Sequence, residues 1–565
     1  MKKRMLALLL AALMLLSLAA CGNGTQTDVP QTDTNLADGD EYHGELPFVK
    51  EGDEPVTITI GLRTVSNVTD YKDNEFTKWL EEQTGLNLEF IQFNGSASEA
   101  ATQVSLMIAS GEKLPDILHP GGISKLQADE YGTQGYFLDL KPYFEKYGYY
   151  HKEAFEKYFP DDPSVREMLM YGAEEASSGA IYCFATMEDI PPDTPMCHTW
   201  INQEWLDNLG LEAPKTLSEL HDVLVAFRDQ DPNGNGKKDE IPMVGRANSS
   251  FVDILRPLIN AYIYWNSSYH FNVGEDGKLY TPYTTDEYRQ ALIYINSLVE
   301  EGLLSTLTWT QTAEELKSLI NPANGEYLCG IVCGHASLAF TPDSPAVYAY
   351  EPLAPFAAET PLGGYGVRTS YDRVYATYIT TDCEHPVEAF KLLDFMCSEE
   401  AFMRCRYGVP GVNWDYAEDD GKGPGLVYDL IGDGVYNTQN SVNWHEVWSI
   451  VSSNYYRRAP MEDQNAWEAV RVQKYWENYY NYEAAGQPDP LFTFVNYTQE
   501  ESERRSEFNT DLTSYIKDRR AQFCTNVLDP RNDAQWQEYL DGLEALHYSE
   551  WLELAQAAYD RLPKN

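Results

Sequence analysis

The chain has 565 residues, 43% hydrophobic and 13% aromatic, with 88 Asp and Glu against 41 Lys and Arg. That length exceeds what one hydrophobic core organises, so two or more domains are expected. A formal net charge of −47 repels nucleic acid and anionic headgroups, disfavours a polyanionic ligand and leaves a neutral one the better fit.

Residues 1–21 read as an address. Lys2, Lys3 and Arg4 precede an apolar run from Met5 to Leu18, too short to span a bilayer, and Leu18-Ala19-Ala20-Cys21 ends it. Small residues before a Cys resemble a bacterial lipobox, in which Cys21 carries the lipid (palmitate) anchor; the alternative is an ordinary secretory signal with a chance Cys. Residues 22–50, rich in Gly, Thr, Gln, Asp and Pro, read as a disordered tether. Apart from Cys21, the cysteines are expected as buried free thiols with at most one disulfide. Cys329-x-x-x-Cys333-x-His335 lacks the paired spacing of a zinc site.

The folded body opens with Val56, Ile58, Ile60 and Leu62 in strand alternation. A helix follows, with Phe76, Trp79 and Leu80 on one face and Gly85 as its stop. A strand at Leu86–Ile91, a helix at Ala100–Ala109 and a strand at Asp116–His119 come next. Strand-helix repetition predicts a parallel sheet, whose ligands lie beyond the carboxyl ends of the strands. Arg63 and His119 are thereby candidates for a cleft wall, although Arg63 fits a solvated loop equally well.

From Thr199 the pattern restarts with a strand and a helical turn, then a helix opened by a Thr216/Glu219 capping box and carrying Leu217, Leu220, Val223, Leu224 and Phe227 at helical spacing. The helix runs into Asp231-Pro-Asn-Gly-Asn-Gly-Lys-Lys-Asp-Glu240. Asp231, Asn233 and Asn235 alternate, so their oxygens can converge on one point, as in the early half of an EF-hand calcium loop. Lys237 offers its carbonyl at position 7 and Asp239 stands at 9, but position 12 is Pro242, which excludes a true EF-hand; Glu240 can close the shell instead. Hard oxygen donors favour Ca²⁺ over zinc or copper, in a structural role. An Asn-Gly turn with no metal is the competing explanation.

The segment W-x-N-x-x-W-L-x-x-L-G-L-x-x-P-x-T-x-x-E-L followed by D-P-N-G-N-G-K-K-D-E-I-P resembles the family 1 extracellular solute-binding lipoproteins of ABC importers, and within them the alginate- and oligosaccharide-binding branch. Weaker similarity covers Gln134–Leu140, Gly179–Tyr182 (with Ala180 where Lys is common) and Trp536–Tyr559. Tyr407–Trp414 resembles the family's Y-G-x-E-G-x-H-Y hinge passage, with Pro410 in place of Glu and Asn413-Trp414 in place of His-Tyr. The resemblance implies the same calcium set, Asp231, Asn233, Asn235, Lys237, Asp239 and Glu240. It also implies an α/β, two-lobed, periplasmic-binding-protein-like fold (type II), each lobe a sheet flanked by helices, with extra C-terminal helices that pack on the second lobe. Lobe 1 is expected over 51–190 and 355–412, and lobe 2 over 191–354 and 413–565.

Further cleft candidates are Arg246 and Asn248 after the strand Ile241–Val244, His335 at the end of the strand from Gly330, and Trp265 and Trp414 as stacking platforms for sugar rings. Trp444 and Trp448, four apart, fit a helix face. Thr284 and Glu287 are expected to cap a helix, and Pro386–Phe402 to form one.

The function expected is that of a monomeric, lipid-anchored binding protein that closes around a carbohydrate and delivers it to ABC permease subunits outside the cell. The alternatives are a secreted glycoside hydrolase, which would need two carboxylates flanking one bond, and a peptide-binding or sensory surface lipoprotein. The sequence has no G-x-S-x-G, no H-E-x-x-H and no P-loop, and no catalytic residue is assigned.

Overall fold

The computed structural model describes residues 42–562, except 192–194, 196, 248–252, 336–338, 369–371, 422–424, 433–434, 436–437, 446–447 and 462, and the side chains of 372 and 373. Cys21, the tether and Asn248 lie outside the described residues.

Alternation in Thr57–Arg63 (β1) buries Ile58, Ile60 and Leu62. The helix Glu75–Thr84 starts where the Asn74 side chain accepts from the Phe76 amide and stops at Gly85, in the left-handed conformation that glycine tolerates. It returns the chain to Asn87–Phe93 (β2), parallel to β1. The helix Ala97–Ser110, opened by a Ser96/Glu99 capping box, leads to Ile117–His119 (β3) on the other side of β1. Gly179–Tyr182 contributes only an isolated bridge between Glu174 and Ile181; the strand that follows is Phe184–Asp189 (β4).

The chain then crosses to Thr199–Asn202 (β5), Ile241–Met243 (β6), a hairpin of Asn272–Val273 (β7) and Leu279–Tyr280 (β8), Cys329–Cys333 (β9) and Tyr350–Pro352 (β10). A second crossing brings it back through Asp372–Ile379 (β11), Trp414–Tyr416 (β12), Leu426–Leu430 (β13), Val451–Ser452 (β14) and Tyr456–Arg458 (β15). A third leads to the helix Trp467–Ala485 and the C-terminal helices. The strands build a six-stranded sheet, β14-β4-β11-β3-β1-β2, and a four-stranded sheet, β10-β5-β9-β6. In the first, β11 runs against all the others; in the second, β5 does.

Each sheet has its own core. Ile60, Leu80, Leu118 and Leu393 anchor the first, and Trp205, Leu220, Ile295 and Trp551 the second. Burial of one such side chain stabilises by about 1.5–3 kcal/mol, so each cluster is a major contributor to its own lobe's stability. Trp536, Tyr539, Trp551 and Ala555 of the C-terminal helices belong to the second core.

The lobe boundary differs from the expected 412/413. Trp414, Tyr428, Trp444, Trp448 and Tyr456 all pack in the first core. Two indole hydrogen bonds tie the segment there, Trp414 Nε1 to the Gly408 carbonyl and Trp444 Nε1 to Thr77 Oγ1, each 2.9 Å. Residues 413–458 therefore sit on lobe 1. The described residues around Trp444 and Trp448 are not helical, so the four-residue spacing there reflects a common core and no helix face. The expected helix Pro386–Phe402 is two, Pro386–Phe395 and Glu399–Tyr407, because Ser398 caps a new start. The cap expected at Thr284 falls on Thr285, whose hydroxyl accepts from the Tyr288 amide.

The Thr216/Glu219 capping box opens Leu217–Asp229 as the spacing predicts. Removing the hydroxyl with Thr216→Ala should cost about 1 kcal/mol, read as a lower urea midpoint at unchanged slope.

Candidate functional site

The polarity of the two sheets decides where a ligand can sit. β4 ends where the first crossing leaves, and β11, antiparallel to it, begins where the second returns. The carboxyl ends of β1, β3 and β4 therefore share the crossing edge of lobe 1. In lobe 2, β5 begins at the crossing and runs against β9 and β10, so the carboxyl ends of β6, β9 and β10 lie at the crossing edge too. The loops that leave both edges form the walls of an interlobe cleft.

On the lobe 1 wall the structure brings Arg63 and His119 together. His119 is partly buried, with Nδ1 2.8 Å from Thr377 Oγ1 and its ring against Trp448, centroids 4.3 Å apart. Burial, with a smaller push from the Arg63 charge, drives the imidazole down to about 3, so His119 is neutral through the physiological range. Trp448 is the residue that sequence reasoning passed over here, because its spacing to Trp444 imitated a helix.

On the lobe 2 wall His335 lies two residues past β9. Its Nε2 is 2.6 Å from the Tyr475 hydroxyl, and its ring is 5.0 Å from that of His198. His198 is fully buried, takes 3.1 Å contact at Nδ1 from Asn478 Nδ2 and is held well below the ordinary histidine range by burial and by His335. Arg246 is half-buried three residues past β6, its backbone bridged to Asp253. Tyr475 and Asn478 come from the helix Trp467–Ala485, which carries Tyr475, Trp476, Tyr479, Tyr480 and Tyr482 within eight positions. That aromatic excess is visible in the sequence and was the available signal for this helix.

A family model for bacterial extracellular solute-binding proteins matches residues 66–401, more than half of the chain. The chain belongs to that family. Over 527 residues it is 25% identical to the fructooligosaccharide ABC transporter substrate-binding protein FusA of Streptococcus pneumoniae, covering 90% of this chain and 91% of that protein. Solved structures share the fold. An extracellular solute-binding protein from Bifidobacterium longum subsp. infantis superposes with a TM-score of 0.72 at 21% identity, covering 91% of this chain and 99% of that one. FusA, solved in complex with kestose and as an EF-hand mutant with fructo-nystose, gives 0.69 at 21% identity, over 89% of this chain and 99% of that one.

Two expected platforms of this solute-binding protein are core residues instead. Trp265 is 0% exposed, packed in the lobe 2 core with Nε1 3.3 Å from the Tyr283 hydroxyl and the Arg520 guanidinium over its ring. Trp414, also 0% exposed, packs in lobe 1. Neither keeps a face for a sugar ring. A cavity of about 700 Å³ opens on the flank of lobe 1 among Tyr42, Phe144, Tyr149 and Arg166, and none of Arg63, His119, Arg246 or His335 lines it.

The oxygen-rich loop after Asp229 is folded by its own side chains. Asp231 Oδ2 accepts from the Gly236 amide at 3.0 Å, Asn233 Oδ1 from Asn235 at 3.0 Å and Asn235 Oδ1 from Lys237 at 2.8 Å, while Asn235 Nδ2 donates to Asp239 Oδ1 at 3.1 Å. The other oxygen of Asp231 and Oε1 of Glu240 are buried with no hydrogen-bond partner. Burial, then Asp239 and Asp231, push the Glu240 carboxyl up. Among the described residues no three His, Cys, Asp or Glu gather as a metal-holding group, and half of this loop's donors are amide or carbonyl oxygens.

All eight cysteines among the described residues are free and buried. No described helix is long and apolar enough to cross a membrane.

Trp265→Ala and Trp414→Ala should each cost about 3–5 kcal/mol in stability yet leave the ligand affinity of the folded protein unchanged, as denaturation and titration would read. A neutral His119 adds no pH step of its own, so the affinity profile between about pH 5.5 and 8 should have the same shape in His119→Gln as in the wild type.

Proposed function

We propose that this solute-binding protein captures a neutral oligosaccharide between its lobes and delivers it to the permease subunits of an ABC importer, as a monomer anchored to the outer face of the membrane through Cys21. The observation that carries the reading is the pairing of an imidazole with an aromatic ring on each cleft wall: His119, held neutral by burial, with Trp448, and His335 with Tyr475. Hydroxyls need donors and acceptors, which the two imidazoles offer. Sugar C–H faces need flat apolar partners, for which the half-buried Tyr475 ring keeps a face, while Trp448 is a core ring that backs His119. Relatives that bind fructooligosaccharides support the same ligand class. No carboxylate pair is assigned a catalytic role, and the protein is expected to return its ligand intact. Titration of tryptophan fluorescence with kestose, longer fructans and peptides should give saturation with a sugar only. Chromatography after incubation should recover that sugar uncleaved; shortened products would make the protein a hydrolase.

The loop set Asp231, Asn233, Asn235, Lys237 carbonyl, Asp239 and Glu240 suits Ca²⁺, since two buried carboxylate oxygens there lack any positive or hydrogen-bonding partner. Such an ion neutralises the loop and fixes the end of the helix Leu217–Asp229. Added Ca²⁺ should raise the melting midpoint and chelation lower it, with Asp231→Asn abolishing the response. The sign with pH follows from Glu240. Its raised carboxyl must lose a proton to bind metal, so the Ca²⁺ response should fade as pH falls toward 4.5. An unchanged midpoint at pH 7 would remove the ion from the account.

A further inference from the structure

The first crossing leaves lobe 1 at a carboxylate that the fold leaves unanswered. Asp189 ends β4 and is 8% exposed. Its backbone carbonyl accepts from the Ser453 amide at 2.9 Å, but among the described residues its carboxyl takes no hydrogen bond and no cation. Asp394, fully buried, shows what a structural acid in this protein has: its two oxygens accept from the amides of Tyr150 and His151 at 3.0 and 2.9 Å. Burying a carboxylate without such donors opposes folding, so another interaction has to account for its presence.

The surroundings of Asp189 are chemically specific. In the parallel β4–β14 pair Ser452 stands opposite Asp189 on the same face, and its hydroxyl is buried without a partner. Across the crossing lies Tyr479 of the helix Trp467–Ala485, whose phenol is pushed up by burial, by Glu483 and by Asp189. The Arg368 guanidinium sits 5.6 Å over the Tyr479 ring, and its Nε is buried without a partner. One turn away Trp476 and Tyr480 lie 5.9 Å apart at 31°, with Tyr480 56% exposed. Asp189 of lobe 1 and Arg368 of the crossing both act on Tyr479 of lobe 2, and the Arg368 backbone is bridged to Pro195, six residues past Asp189. That combination suits vicinal hydroxyls on one edge of a sugar and its C–H face on the other.

We infer that Asp189 is a ligand-binding residue, which accepts hydrogen bonds from the hydroxyls of a sugar unit held at the crossing end of the cleft against Tyr479 and Arg368. The inference rests on the oligosaccharide reading above. A sugar hydroxyl supplies the donor that the fold withholds, and because Asp189 and Tyr479 belong to different lobes, the contact is completed when the lobes close.

Calorimetry with kestose and the full chain tests it. Asp189→Asn should weaken binding at least tenfold at pH 7.5 with an equal or higher melting midpoint, because it removes a buried charge. A second readout needs no variant. Burial alone raises the Asp189 carboxyl to about 6, and hydroxyl donors pull it down again. Kestose binding at pH 6 should therefore release roughly half a proton, measured in two buffers of different ionisation enthalpy, and none at pH 8. The titratable and charged groups near Asp189 are Tyr479, with Glu483 behind it and Arg368 over its ring; β14 contributes Val451 and Ser452, and β11 sets Asp372 opposite Glu188. Asp189→Asn should abolish the release. Wild-type binding with an unaffected variant, or with no proton release at pH 6, overturns the assignment. If the wild-type chain binds neither kestose nor longer fructans, the oligosaccharide reading fails first and the assignment falls with it.

Discussion

Strand direction is the constraint on which the cleft depends. Helical crossovers between neighbouring strands oblige β1, β2 and β3 to run the same way, and β4 and β14 join in that sense. The only strand running against them, β11, is the one that arrives from the other lobe. An antiparallel return is what a chain must make when it re-enters a sheet at the edge from which it left. The same logic inverts β5 in the second sheet. Two sheets joined in this way cannot avoid presenting their carboxyl edges to each other, so the residues just past β1, β3, β6 and β9 become cleft residues whatever their identity.

Electrostatics on those edges runs counter to the chain as a whole. A protein with a formal charge of −47 would be expected to offer a ligand a strongly negative surface. Instead Arg63, Arg246 and Arg368 stand near the edges, and His119 and His198 are kept neutral by burial. Neutral imidazoles donate through one nitrogen and accept through the other, which suits hydroxyls better than ions. Part of the acidic surplus lies on the C-terminal helices, for example 533–545, with four acidic residues and no basic one.

The aromatic residues divide by what their polar atoms find. Trp265, Trp414 and Trp444 have indole N–H groups answered inside the core, and they have no exposed surface. The Trp448 indole nitrogen is buried and unanswered, and its ring lies against a residue of the cleft wall. Aromatic content therefore marks ligand platforms poorly until the partner of each ring is known.

Much of this was legible in the sequence because it depends on neighbours within a few positions. Alternation located β1, a capping box located the helix at 217, and the strand-end rule put Arg63, His119 and His335 at or just past the ends of their strands with no tertiary information. The oxygen-rich loop was legible too, since Asp231, Asn233 and Asn235 fold onto one another's amides within five residues. What only the tertiary structure decided were facts that depend on partners hundreds of positions away. Trp444 bonds to Thr77, which moves residues 413–458 into lobe 1, and Tyr479 meets Arg368 and Asp189 across the crossings. Local spacing specifies a helix or a strand through short-range sterics and hydrogen bonds. Whether a tryptophan faces a core or a cleft is set by how much apolar surface the rest of the chain brings against it, and no window of sequence contains that quantity.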